Sequence, residues 1–336
     1  MSIENPLLTV PESAMSASSP EVRGTLRDLV QRGELGLFVT APHRVCLAER
    51  RRLPLVGCLV QTLRDDARNR PFQESAIVVA CSLRSGAAYA GRAFASAAYM
   101  LDVGEPIGDP GEGVSGDAFE LDVADRLGLP RGPTTYAAWV LVRDRISNVV
   151  HVEIDDPPPA YDDPEVAKFV SDWHAAHVPP APHVSPPRVR GQKVPAYGTV
   201  AGAPKVPSRK GIALALPERV AMGPSATCEL LLSFRLPALP RHIVRHAAGE
   251  AGQEGATAVV PVTVVVTGDD FAGPFAAELR VPSFTPVDPA DPAPVVEGQA
   301  VIDLLALPGM WRSRRTMFVW AFSGEQASEP CAVAFA

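Results

Sequence analysis

The chain is short of the residues that most chemistry uses. Its 336 residues include only five cysteines, seven histidines, five tyrosines and four tryptophans. The cysteines (Cys46, Cys58, Cys81, Cys228 and Cys331) are odd in number and form no C-x-x-C pair. Cys81, in AIVVACSL, lies in an apolar run where a reduced thiol acts as a small hydrophobe, so no disulfide framework is expected. No apolar run reaches the ~18 residues that cross a bilayer. The opening MSIENPLLTVPESAMSASSP has neither the basic nor the continuous apolar part of a secretion signal. The default expectation is a cytoplasmic protein with no membrane partner. A concentrated basic surface is missing too, since the net charge is −7. The clusters Arg50, Arg51, Arg52 and Arg312, Arg314, Arg315 are short and adjoin apolar runs, as solvated turns do, so nucleic acid is not an expected partner.

Motifs of catalysis are equally scarce. There is no G-x-S-x-G elbow and no HExxH pair. GEGVSG at 111–116 fits G-x-G-x-x-G by letter. It follows an acidic, proline-containing loop, however, and precedes DAFELDV, which alternates like a strand, so no helix N-terminus is offered to a phosphate. The acid pairs at 155–156, 162–163 and 269–270 fall among turn formers and lack calcium-loop spacing.

What the chain has in quantity is proline (35) and glycine (26). Such punctuation excludes long helices over most of the length and favours short strands joined by turns. A chain this long exceeds what one core usually serves, so two domains are expected.

The two halves resemble each other. SPEVRGTLRDLVQRG from Ser19 and DPEVAKFVSDWHAAH from Asp163 each open with an N-cap residue, a proline at the first helical position and Glu-Val. Apolar residues then recur at helical spacing: Val22, Leu26 and Leu29 in one, Val166, Val170 and Trp173 in the other. GLFVTAPHRV from Gly36 matches GIALALPERV from Gly211 with proline in register. Tyr89-Ala90-Gly91 pairs with Phe271-Ala272-Gly273, and TTYAAWVLV, holding Trp139, pairs with RTMFVWAFS, holding Trp320. Strands are expected near 36–46, 53–63, 75–83, 93–101, 118–123, 135–142 and 149–154. Their counterparts are expected near 211–222, 227–236, 258–267, 275–281, 300–305, 316–322 and 332–336.

Short strands without intervening helices point to antiparallel sandwiches. At the level of architecture the chain resembles an immunoglobulin or fibronectin type III sandwich used twice, although the Cys…Trp…Cys signature of antibody domains is missing. The expected fold is mainly β: two tandem immunoglobulin/fibronectin-III-like antiparallel β-sandwiches, each preceded by a short amphipathic helix. The expected layout is a flexible N-terminus (1–18), a helix plus first sandwich (19–156), a Pro-rich linker (157–209) containing a helix (164–177), and a second sandwich (210–336). Trp139 and Trp320 are expected in the cores, each with a partner for its indole N–H.

Two functional readings follow. The first is a non-catalytic protein-binding or assembly component, an accessory subunit that needs no cofactor. Its partner would be another protein, a larger assembly or a second copy, met by Trp173 and by the turn with Trp311, Arg312, Arg314 and Arg315. The Pro-rich stretch would either strap the protein's own domains or dock on a partner. The second reading is a metal-binding accessory protein or small metalloenzyme. His174 and His177, three apart on the helix, would join His183 in a zinc or copper site. The first-half helix has Val30 and Gly33 at the two helical positions, so packing rather than ligation is the property the copies share. Carbohydrate binding needs exposed aromatic platforms, which an aromatic content of 6% disfavours.

Overall fold

A computed structural model of the chain describes residues 5–46, 52–65, 72–84, 86–94, 101–102, 113–130, 132–155, 202–223, 226–239, 242–245, 256–268, 275–285, 287, 291, 294–307, 309–310 and 316–336. The chain divides into two compact units, whose described parts run in the main over 5–155 and 202–336.

The first unit opens with α1 (Pro20–Arg32). Ser19 caps it by accepting from Val22 N–H, Pro20 sits where no N–H partner is needed, and Gly33 ends it at φ 65°. Strands follow: β1 (Gly36–Thr40), β2 (Arg44–Val45), β3 (Pro54–Thr62), β4 (Ala76–Ser82), β5 (Ala88–Arg92), β6 (Leu101–Asp102), β7 (Val114–Asp122), β8 (Thr134–Val142), β9 (Arg145–Ile146) and β10 (Val150–Ile154). One sheet has the order β1-β3-β7-β6; the other runs β2-β10-β8-β4-β5, with β9 hairpinned on β8. This is the strand order of an immunoglobulin-type sandwich, with the first strand divided between the two sheets.

The second unit repeats the plan with β11 (Gly211–Ala215), β12 (Arg219–Val220), β13 (Glu229–Pro237), β14 (Ile243–Arg245), β15 (Ala256–Gly268), β16 (Phe275–Pro282), β17 (Val295–Asp303), β18 (Thr316–Ser323), β19 (Gln326–Ala327) and β20 (Cys331–Phe335). Its sheets run β11-β13-β17 and β12-β20-β18-β15-β14, with β16 on the other edge of β15.

The duplication extends to register. Gly36 lies opposite Val60 and Gly211 opposite Arg235; Pro54 lies opposite Asp122 and Glu229 opposite Asp303. The parallel pairs correspond as well, Ile154 with Val45 and Phe335 with Val220. Pro42 and Pro217, matched in the sequence, stand where the first strand leaves one sheet for the other, because proline interrupts a ladder. Small polar devices recur in place. Ser147 Oγ accepts from Val140 N–H and Ser328 Oγ from Ala321 N–H. Asp122 takes Leu53 N–H, and Asp303 takes Cys228 N–H.

Each unit holds a core between its sheets, built in the first on Leu37, Leu55, Leu59, Phe119, Val78 and Val140, and in the second on Leu232, Phe234, Val262, Val264, Val319 and Val333. In the first, the rings of Phe72, Phe94 and Phe119 meet at centroid distances of 5.6 to 6.1 Å.

Several expectations are corrected. The described part of the N-terminus, expected as a flexible lead, is packed on the first unit: Asn5 donates to Val39 O, Leu7 is fully buried, and Val10 and Ala17 join α1 in a second core. Tyr89-Ala90-Gly91 lies in β5, upstream of the strand expected at 93–101, whereas 271–273 precedes β16 and falls outside the described residues. Trp139 and Trp320 are buried, but strand alternation sets them on the sheet face opposite the sandwich core, and Trp320 Nε1 finds no hydrogen-bond partner among the described residues. Val265, cross-strand from Trp320, is buried on that same face. A sheet buried on both sides explains why VVPVTVVVT is apolar without alternation. The helix expected at 164–177 lies outside the described residues.

Candidate functional site

The residues singled out for chemistry or contact (His174, His177 and His183, Trp173, Trp311, Arg312, Arg314 and Arg315) all lie outside the described residues. Among the described residues no group of three or more histidine, cysteine, aspartate or glutamate side chains could hold a metal ion, and no helix is long and apolar enough to cross a membrane. Burial keeps three thiols protonated: Cys58 is pushed up to about 12, Cys228 to about 11, and Cys81 is raised as well. An open cleft of about 320 Å³ lies at one end of the first sandwich, between Arg84, Thr134, Thr135, Glu153 and Asp155. Its polar groups serve the fold: Arg84 donates to Pro133 O, Thr134 shares a hydrogen bond with Ser82, and Asp155 pairs with Arg44. The last letters of GEGVSG enter β7, and Gly116 lies beneath α1.

The feature that separates the two units is the outer face of the β1–β3–β7 sheet and of its counterpart. In the first unit this face is apolar, with Val56, Cys58, Val60, Gly116 and Ala118 on it. Val22, Leu26, Leu29 and Val30 of α1 are buried in the core that includes this face. Each such side chain contributes about 1.5–3 kcal/mol when fully buried, which a 13-residue helix needs because it is marginal alone. The approach is close enough that a Cβ at Gly116 would sit 2.7 Å from both Leu26 Cδ1 and Val30 Cγ2. A side chain there would have to displace both groups, so glycine is favoured at this position.

In the second unit the matching positions are Leu231, Ser233, Arg235, Glu297 and Gln299. Ser233 lies directly opposite Gln299, as Cys58 does Ala118, and Arg235 opposite Glu297, as Val60 does Gly116. The face has turned polar, and its cover has changed with it. Residues 202–210, the described end of the Pro-rich stretch, run along β13. A Cβ at Gly202 would meet Leu231 Cδ1 at 3.5 Å. Ser233 Oγ donates to Pro204 O at 2.6 Å, and Gln299 Nε2 reaches the same carbonyl at 3.5 Å and Ser233 Oγ at 3.1 Å. Arg235 Nη1 donates to Ser208 O at 3.3 Å while its guanidinium stands 3.6 Å from Glu297. A glutamate in the place of Gly116 occupies the space through which a helix would approach. The strap therefore takes the helix's place by chemistry as well as by position.

The asymmetry of the Pro-rich stretch is visible in the sequence, whereas the seat of residues 202–210 was not read from it. The signal was present, since setting Val56, Cys58 and Val60 beside Leu231, Ser233 and Arg235 shows one face of one strand losing its apolar character.

No protein-family model matches the chain, and no curated protein matches it. Among solved structures, the C-terminal domain of the Streptococcus pyogenes antigen I/II-family protein AspA is similar at 6% identity, with 89% of this chain and 99% of that one covered and a TM-score of 0.17. The C-terminal domain of the Streptococcus agalactiae AgI/II polypeptide BspA is similar at 8% identity, over 89% and 99%, with a TM-score of 0.16. Superpositions this poor carry no argument, and the fold assignment rests on strand order and register.

Proposed function

We propose that the chain is a non-catalytic binding or assembly component of the cytoplasm, and that its partner-facing element is the sequence-predicted helix at 164–177. One observation carries this reading. The first unit seats its amphipathic helix on the outer face of its own sheet; in the second unit the matching face bears the Arg235–Glu297 pair and is covered by residues 202–210. Among the described residues, the face that corresponds to the seat of Val22, Leu26 and Leu29 is therefore not open to an apolar stripe such as the Val166, Val170 and Trp173 read from the sequence. An apolar stripe of that size is stabilised by burial against something, and a groove on another protein receives it in the helix-in-groove manner. Trp173, with its large apolar surface, is the expected anchor.

The test is parallel affinity capture with the full chain and a Val166→Asp, Val170→Asp, Trp173→Asp variant. A prey retained by the native chain and lost from the variant supports the reading; an identical prey set from both overturns it. The metal reading is tested separately by elemental analysis of tag-free protein, where stoichiometric zinc or copper lost on His174→Ala, His177→Ala substitution would replace the present proposal.

A further inference from the structure

The strap carries a second message in its pattern of exposure. From 202 to 208 exposure recurs every third residue, at Gly202, Lys205 and Ser208, with Ala203, Pro204, Val206 and Pro207 half-buried; Arg209 and Lys210 beyond it are both exposed. A repeat of three is the period of the polyproline II helix. Prolines at 204 and 207 thus turn two Xaa-Pro pairs, Ala203-Pro204 and Val206-Pro207, toward the sheet and leave Lys205 pointing away. Proline lacks an N–H, so such a segment presents carbonyls in excess of donors. The floor beneath supplies the missing donors: Ser233 Oγ and Gln299 Nε2 at Pro204 O, and Arg235 Nη1 at Ser208 O. Beneath the strap Ser233 is fully buried and Gln299 is 9% exposed, and Gln299 Nε2 also donates to Ser233 Oγ at 3.1 Å, so the two donors are tied to each other as well as to the strap. These three bonds read backbone carbonyls. Recognition is therefore of spacing and carbonyl direction, which any chain of the same pattern can reproduce.

The two units also differ in how permanent their covers are. The apolar face under α1 would be left bare if the helix departed. The floor under the strap holds an ion pair, a hydroxyl and an amide, all of which water can satisfy, so uncovering it costs far less. A sheet face with a polar floor and a partly exposed cover has the character of an exchangeable interface, not of a domain core.

We infer that the outer face of the β11–β13–β17 sheet is a binding site for an extended Pro-x-x-Pro segment of another protein, and that residues 202–210 are its built-in occupant. A tethered occupant competes at an effective concentration on the order of millimolar. The site is thus closed to weak ligands and opens to a peptide that is abundant, multivalent or held nearby.

The experiment uses the full chain and a fluorescein-labelled peptide of sequence GAPKVPSRK, followed by anisotropy. The strap is weakened by Ala203→Gly, Pro204→Ser, Val206→Ser and Pro207→Gly, which preserve its length. Saturable binding to this opened chain is expected, with the native chain needing about tenfold more peptide or beyond. Adding Ser233→Ala and Gln299→Leu to the opened chain should weaken binding about tenfold, as should replacing both prolines of the peptide by alanine. Should Ser233→Ala with Gln299→Leu disturb folding, Gln299→Glu alone removes the amide donor at nearly constant shape and is expected to weaken binding in the same direction. An opened chain that does not bind, equal binding by native and opened chains, or indifference to the Gln299 substitutions would each overturn the inference.

Discussion

Gly57 and Gly298 each lie under a phenyl ring supplied by the residue directly opposite, Phe119 and Phe234 respectively. A Cβ at Gly57 would stand 2.3 Å from Phe119 Cζ and 2.8 Å from Phe38 O; at Gly298 it would stand 2.3 Å from Phe234 Cζ and 3.0 Å from Pro282 O. The second copy has moved this pair two residues along the ladder and exchanged the strands, with Leu232 and Ala300 now filling the places of Gly57 and Phe119. Gly57→Ala and Gly298→Ala are each expected to destabilise by about 1–3 kcal/mol in urea denaturation. Gly24→Ala, in α1 with nothing within 4 Å of the new methyl, is expected to stabilise by about 0.5–1 kcal/mol. The thiols give a second prediction. Cys58, Cys81 and Cys228 are buried while Cys46 and Cys331 are partly exposed, so a thiol reagent at about pH 8 should modify no more than those two in the native protein and all five after unfolding. The pKa of a buried thiol is raised in the folded state. Its contribution is whole below the unfolded value near 9.0 and is lost as pH climbs toward about 11 for Cys228 and about 12 for Cys58. Stability should therefore fall over that alkaline window, and Cys228→Ala should make the fall shallower.

At the scale of elements, the covers of the two outer sheet faces should respond in opposite ways to the same exchange. Val60 and Arg235 hold matching places, the first fully buried beside α1 and the second half-exposed beside Glu297. Val60→Arg forces an unpaired charge under the helix and is expected to cost at least about 3 kcal/mol. Arg235→Val removes one carbonyl donor and a partly exposed ion pair, and should cost about 1 kcal/mol or less. Thermal or urea unfolding of the two variants checks the contrast. Most elements were legible from local signals, but the strands expected whole at 36–46 and 211–222 are each split at a proline between two sheets. Ser19-Pro20 and Gly33 bound α1, Pro42 and Pro217 mark the crossing between sheets, and the Trp139 and Trp320 strands fall where matching text put them. The strap's seat was not legible in the same way, because Ser233 and Gln299 become neighbours only through the register of two strands 66 residues apart. The docked N-terminal segment was missed for a related reason: Leu7 lies in a short stretch bounded by turn formers, and its burial depends on β1 and α1 coming together around it.

In the molecule as a whole, one immunoglobulin-type plan is used twice, and the described parts of the two copies differ in what lies on one sheet face. A helix is built into the first; in the second a polar face carries a proline-spaced strap. The outer-face difference is most directly tested by limited trypsin digestion of the full chain, with cuts after Lys205 and Arg209 followed by mass spectrometry and cuts after Arg23 and Arg27 as the internal reference. Cleavage of a docked segment tracks how often it opens. The account predicts that Ser233→Ala with Gln299→Leu speeds the strap cuts about tenfold and leaves those in α1 unchanged. Strap cuts that proceed at the same rate in native and variant chains would contradict it.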